Sequence, residues 1–286
     1  MTVIELIERC AARLEAAGVA FGHGTTNAFD EAAWLVMWGL KLPLDALEAH
    51  AHQAQAPGDV ARVDALLDER IRTRLPAAYL TGEAWLHGVP FYVDQRVIVP
   101  RSLIAEPLLE GVLDAWLSAR TYRVLDLCTG NGSLAVLAAM VYPDVAVDAA
   151  DISTDALAVA RINVDRHNLQ DRITLLTSDG LAGVGGPYDL ILCNPPYVNA
   201  ASMAALPQEY LAEPALALAG GSDGMDFIRR LLIGAPAHMN PGGVLLLEIG
   251  HERAHFEAAF PRLPVVWLPT SAGDDQVLLV EREAWP

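Results

Sequence analysis

Asn194-Pro195-Pro196-Tyr197 puts a carboxamide, two conformationally fixed prolines and an aromatic ring into four consecutive residues. An amide or exocyclic amine nitrogen is a poor nucleophile, because its lone pair is delocalised into the neighbouring π-system. Two acceptors gripping its N–H bonds would orient it and turn the lone pair toward an electrophile. The side-chain oxygen of Asn194 and the carbonyl of Pro195 supply such a pair, and consecutive prolines hold them at low entropic cost. Tyr197 offers a ring face that covers the reacting plane and attracts a sulfonium charge. The pattern suits methyl transfer from a sulfonium to a planar nitrogen, driven by proximity and in-line geometry. No general base of unusual pKa is needed, since the product nitrogen sheds a proton readily.

A second constellation precedes it. VLDLCTGNGSLAV, residues 124–136, runs from a strand through a glycine turn into an apolar helix. Gly130 and Gly132 let backbone approach a ligand closely, and the helix start supplies N–H groups. Asp126, near the strand end, is placed to meet an ammonium group. Asp151 closes the next strand, where a carboxylate can accept hydrogen bonds from both ribose hydroxyls. The turn also satisfies the G-x-G-x-x-A form of the dinucleotide fingerprint, so alone it predicts nucleoside-cofactor binding and leaves nicotinamide and S-adenosylmethionine both open.

These residues need a scaffold. From Ser102 onward strand and helix patterns alternate, the mark of a mainly parallel, helix-covered sheet. Strands are predicted over 123–127, 145–149, 172–176, 190–193 and 243–248, with 265–268 and 276–280 as a terminal hairpin. Asp189 to Cys193 is an apolar run that must stop at Asn194, because proline cannot donate to a sheet ladder. Before Leu75 the spacing is helical: an amphipathic helix over the first residues, another around Trp34, Leu35, Met37 and Trp38, and a third from Val60 to Leu75, with 53–58 as a loop. Short β-like pieces, 83–87 and 90–93, separated by Gly88, predict a hairpin between the two regions.

Of the 286 residues, 53% are hydrophobic, enough for a large core. Asp and Glu outnumber Lys and Arg 36 to 19, a net charge of -17 that repels phosphate backbones and favours basic partners. Stable nucleic-acid binding is therefore not expected. Three scattered cysteines without a CxxC pair indicate a reducing compartment, and no apolar run reaches the roughly 18 residues of a membrane span. A cytoplasmic protein is expected.

Together the segments AYLTGEAWLHGVPFYVDQRVIVPRS (78–102), VLDLCTGNG, DAADISTDALAVARIN (148–163), CNPPYV and EPALALAGGSDGMDFIRRLL (213–232) resemble the protein-(glutamine-N5) methyltransferases over nearly the whole chain. The resemblance implies a Rossmann-like, seven-stranded class I methyltransferase domain over 102–286. It also implies a small helical domain over 1–77 that recognises the protein substrate, joined by a hairpin linker over 78–101. It implies S-adenosylmethionine as cofactor, S-adenosylhomocysteine as product, and methylation of a glutamine side-chain amide. Thr129, Gly130, Asn131 and Gly132 would lie against the methionine part, Asp151 and Ile152 beside the ribose, and Asp179 and Gly180 beside the adenine. Asn194 to Tyr197 would hold the glutamine. Arg101 and Glu106 fall where the linker meets the cofactor cleft. Pro100-Arg101-Ser102 resembles the branch acting on large-subunit ribosomal protein three, with Leu103 where a proline is usual; the release-factor branch usually reads Pro-Arg-Pro. The acidic charge agrees with a basic ribosomal substrate.

Two rival enzymes, and a catalytically silent binding module that keeps the fold, are weaker readings. Enzymes that methylate nucleic-acid amino groups also use an Asn/Asp-Pro-Pro-Tyr/Phe turn, but call for a basic surface. A nicotinamide oxidoreductase gives the double proline no role. His251-Glu-Arg-Ala-His255 matches the zinc-protease helix literally, yet lacks a third ligand and sits at an expected strand-to-helix turn, so no metal is predicted. Cys128 and Cys193 are read as structural thiols flanking the cleft, and His50 and His52 as solvated.

Overall fold

Thr2 opens the first helix with a capping box: its hydroxyl accepts from Glu5 N, and the Glu5 carboxylate accepts from Thr2 N at 2.8 Å. The structure, a computed structural model, describes residues 1–117 and 121–285. Helix α1 (Val3–Ala16) buries Val3, Leu6, Ile7, Cys10 and Leu14, one face at helical spacing, against α2 (Ala28–Gly39), which is capped by Asn27. After the short α3 (Leu47–His50), helix α4 (Pro57–Thr73) begins inside the stretch expected as a loop. Pro57 occupies the first helical position, where its fixed φ suits the helix and its missing N–H is not needed. Leu35, Val36, Val63 and Leu67 complete this core. Trp34 is partly buried against it, while Trp38 stays 39% exposed. Arg70 is completely buried and donates to Glu31 at 2.8 Å. α5 (Ala77–Thr81) leads to the hairpin.

Strands β1 (Glu83–Leu86) and β2 (Val89–Tyr92) pair antiparallel around His87 and Gly88, both at positive φ, as a tight two-residue hairpin turn requires. Asn163 docks this hairpin: its side chain accepts from Tyr92 N at 2.7 Å and donates to Tyr92 O and Asn131 O.

After α6 (Ala105–Leu109) the chain builds one sheet from β3 (Arg123–Leu127), β4 (Ala146–Asp151), β5 (Ile173–Thr177), β6 (Tyr188–Cys193), β7 (Met239–Glu248), β8 (Val266–Thr270) and β9 (Gly273–Glu281). The order is β5-β4-β3-β6-β7-β9-β8, parallel through β7 and antiparallel for the last two, so the terminal hairpin forms as expected. Helices α7 (Ser133–Val141), α8 (Thr154–Arg166), α9 (Ala200–Ala205), α10 (Asp226–Gly234) and α11 (Arg253–Ala259) connect the strands. Buried cores cover both faces, one around α7 with Val124, Leu190 and Leu246, the other around α10 with Leu125, Ile191 and Leu245. Neighbouring β-residues thus face opposite cores, which is why the central strands read as unbroken apolar runs. This is the Rossmann-like, seven-stranded methyltransferase architecture.

Strand order reverses between β3 and β6, so the connections leaving them diverge and open a crevice at their carboxyl ends. The glycine turn follows β3 and the Asn-Pro-Pro-Tyr turn follows β6, both at that crevice. Among the described residues no helix is long and apolar enough to cross a membrane.

Candidate functional site

Two adjoining cavities occupy the crevice. The larger, about 600 Å³, is lined among others by Gly130, Asp151, Ile152, Asp179, Gly180 and Pro196. The smaller, about 370 Å³, is lined among others by Arg101, Pro195, Tyr197, Glu248 and His251. Asn194 lines both, together with Ile98 and Ala217. The double proline therefore stands between them, with Pro196 facing one and Pro195 the other.

The larger cavity carries the chemistry of a nucleoside site. Asp151 Oδ2 accepts from Gly130 N and Oδ1 from Ser153 N, each at 2.9 Å, which locks the carboxylate at the end of β4. Burial pushes its carboxyl above the usual range, opposed by the N–H groups of Ser153, Gly130 and Ile152. Ile152 is 49% exposed beside it, an apolar surface for a flat ring to rest on. Gly130 has φ +56°, and a Cβ there would meet nothing within 4 Å, so a side chain would occupy space open to a ligand. Asp179 accepts from Arg230 at 3.1 Å, and Gly180 lies against the Phe227 ring.

Asp126, Thr129, Asn131 and Gly132 lie behind this surface and outside both cavity linings, while Cys128 lines the larger one. Asp126 is fully buried, and no cation among the described residues pairs with it. Its Oδ2 accepts from Thr129 Oγ1 at 2.5 Å and from Ala135 N at 3.0 Å, while Oδ1 has no partner among the described residues. Burial lifts its carboxyl to about 7 despite those two donors. The Asn131 side chain accepts from Ser133 N, and Gly132 packs so tightly that a Cβ would lie 3.2 Å from that of Ala160. Thr129, Asn131 and Gly132 thus brace the turn from inside.

At the smaller cavity, the Asn194 side chain and the Pro195 carbonyl make no hydrogen bond to any described residue, leaving both acceptors free. Glycines hold the turn from below. A Cβ on Gly220 would come within 2.7 Å of Tyr197 Cα, and one on Gly224, at φ +80°, would collide with the Tyr197 carbonyl. Val198 is anchored by N–H donation to Leu218 O at 2.8 Å and by accepting from Gly220 N. The Tyr197 ring lies on Gly250, and its hydroxyl donates to Glu248 Oε1 at 2.9 Å.

Arg101 and Glu106 are not brought into the nucleoside cavity. Arg101 lines the smaller one, where it forms a two-point ion pair with Glu213 at 2.6 and 2.7 Å. Glu106 bonds Ser271 N and Oγ and lines neither. Glu213 also accepts from Val99 N, with His23 Nε2 at 3.6 Å. Burial alone would raise this carboxyl, but the two hydrogen bonds and the charge of the Arg101 guanidinium, with the His23 ring beside it, outweigh that and hold it at about 2. Glu209, on the same segment, accepts from Ala20 N and Arg74. The two acids fasten the wall between the cavities to the N-terminal helices.

Sequence reasoning left Glu248, Ser102, Glu209 and Glu213 without roles. A carboxylate closing a buried strand was a readable signal for Glu248, as it was for Asp151; nothing local marks Glu209, whose partners lie 135 and 189 residues away. The zinc reading fails on geometry: α11 begins at Arg253, so His251 precedes the helix and cannot share a face with His255. Glu252 instead accepts from Asn199 at 2.7 Å and bonds His255 Nδ1. Among the described residues no group of three or more His, Cys, Asp or Glu is placed to hold a metal.

Residues 107–224 match the family model of the methyltransferase small domain. The chain is 56% identical to the ribosomal protein uL3 glutamine methyltransferase of Bordetella pertussis, over 99% of this chain and 95% of that one. It is 50% identical to the protein of the same name from Burkholderia pseudomallei, over 100% and 96%. Among solved structures, the hMettl16 catalytic domain bound to a MAT2A 3'UTR hairpin superimposes with a TM-score of 0.52 at 14% identity, over 78% of this chain and 80% of that one. That likeness concerns the fold.

Proposed function

Because the chain belongs to the ribosomal protein uL3 glutamine methyltransferases, we propose that its two cavities hold methyl donor and glutamine on opposite sides of Asn194. The protein transfers a methyl group to the side-chain amide of a glutamine in ribosomal protein uL3. S-adenosylmethionine, when bound, supplies the methyl group on an electrophilic sulfonium. The chain's residues do the rest. Asp151 accepts from the ribose hydroxyls, Ile152 packs on the base, and Asp179 and Gly180 bound its edge. Gly130 admits the methionine part, with Thr129, Asn131 and Gly132 stiffening the turn behind it. On the other side the Asn194 oxygen and Pro195 carbonyl accept the two N–H bonds of the glutamine amide, and Tyr197 covers its plane.

The observation that carries this reading is that Asn194 faces both cavities with its acceptor unused. An amide gripped there has one face turned toward the nucleoside cavity, so positioning supplies most of the rate. The N-terminal helices, fastened to the cavity wall through Glu209 and Glu213, recognise the protein substrate, and the net charge of -17 attracts its basic surface. The test is to incubate unmodified uL3 with the protein and S-adenosylmethionine and map the product by peptide mass spectrometry. One methyl on a glutamine side chain is expected; label on a lysine, an arginine or ribosomal RNA instead would refute the assignment.

A further inference from the structure

Ser102 reaches the site without touching either cavity. It is buried, and its hydroxyl donates to Glu248 Oε2 at 2.6 Å; Leu103 N donates to the same oxygen at 2.9 Å. Oε1 of that carboxylate accepts the Tyr197 hydroxyl at 2.9 Å. Glu248 is itself 3% exposed, and the nearby Arg101 is turned to Glu213, so no cation pairs with it among the described residues. Its orientation is set by these three donors, two from the linker end and one from the catalytic turn.

Tyr197 packs at the edge of the core around α10 and lines the smaller cavity. Its ring rests on Gly250, where a Cβ would lie 2.5 Å from Cε2. The phenolic oxygen lies on the ring's own rotation axis, so the tether on the hydroxyl fixes the direction in which that axis points, while Gly250 backs the ring itself. We propose that Ser102 is a positioning residue for methyl transfer, fixing the Tyr197 ring against the bound glutamine through the shared carboxylate of Glu248. The inference rests on the function proposed above.

Removing the Ser102 hydroxyl leaves the buried carboxylate short of a donor and free to rotate, and Tyr197 follows it. Displacement by a fraction of an ångström should lower kcat by roughly tenfold, less than the ~100-fold that a 1 Å misplacement can cause. Cofactor affinity and the KM for uL3 should stay within about twofold, because Ser102 lines neither cavity.

A double-mutant cycle on methyl transfer to uL3 tests this, using Ser102→Ala, Tyr197→Phe and the combination at saturating cofactor. The expected result is that Ser102→Ala slows the wild type but adds nothing in the Tyr197→Phe background, and that Ser102→Thr restores the rate. Ser102→Cys, which keeps the volume and a weak donor, reads the same cycle if the alanine variant does not fold. Additive effects, a fall in cofactor affinity matching that in kcat, or failure of Ser102→Thr to rescue a folded enzyme would overturn the inference alone. A wild-type chain that leaves uL3 unmodified overturns the assigned reaction, and this inference with it.

Discussion

Replacing Asn194 with alanine isolates the acceptor on which the proposed chemistry depends. The side chain makes no hydrogen bond within the described protein, so its removal orphans nothing and leaves folding within about 0.5 kcal/mol. It lines the larger cavity, but Asp151, held by two N–H groups, is the residue proposed to anchor the nucleoside at that cavity. Affinity for S-adenosylmethionine should change by less than about threefold. The rate should fall far more, because one of the two oxygens gripping the amide disappears and its nitrogen is no longer aimed. Loss of one preorganised hydrogen-bonding group at a reacting centre typically costs 10²–10³ in kcat, about 3–4 kcal/mol. The measurements are single-turnover methylation of uL3 followed by mass spectrometry, calorimetry with the cofactor, and a thermal melt. Equal losses of rate and cofactor affinity, or a tenfold or smaller fall in rate with the fold intact, would refute the division of labour between the cavities.

Other perturbations probe the supports. Gly224→Ala forces a side chain into the left-handed region and onto the Tyr197 carbonyl, so a lower melting temperature and weaker methylation are expected together, by melt and assay. Glu213, held at about 2 from an ordinary 4.5, contributes stability that is full above pH 4.5 and lost as pH falls toward 2. Glu213→Gln should abolish that acid-side slope in urea titrations and cost roughly 3–5 kcal/mol at neutral pH, because Arg101 is left unpaired. Asp151→Ala should weaken cofactor binding by at least tenfold in calorimetry, with both N–H donors of the turn stranded. Exhaustive treatment with a chelator should leave methylation unchanged; loss of activity restored by zinc would reinstate the His251–His255 reading.

The legible parts of this chain are those whose cause is local. Unbroken apolar runs mark the central sheet strands, and proline marks where β6 must stop. Helix starts were less readable: 53–58 scans as a loop because Pro and Gly adjoin, yet Pro57 is where a helix begins. Functional residues divide the same way. Asp151, Gly130 and Asn194 announce themselves by type and place relative to a strand end. Asp126 looked equivalent but turns inward to Thr129 and Ala135, since strand position alone does not say which side of the turn a carboxylate faces. Arg101 looked like a cofactor contact until Glu213, 112 residues later, claimed its guanidinium. Such pairings are properties of the closed fold.

The glycine turn by itself was compatible with two cofactors, and the fold shows why it could not decide. Its glycines serve close backbone approach and packing on α8, needs shared by any nucleoside ligand at a switch point. In the proposed function, specificity for methyl transfer comes from the end of the neighbouring strand β6. A hydride acceptor must lie flat against a reduced ring, which asks for an open face. Here the larger cavity instead meets a stiff Pro-Pro wall with a second cavity behind it, and Asn194 is the polar residue that lines both. That geometry suits a donor and acceptor that approach end-on through a narrow contact, as an in-line displacement at a methyl carbon does. The stiffness matters as much as the opening: a side chain on Gly220 or Gly224 would strike the Tyr197 backbone and one on Gly250 its ring, so each position gives up a side chain to seat the Asn194–Tyr197 turn. Substitutions at these glycines should therefore disturb methyl transfer before they disturb nucleoside binding.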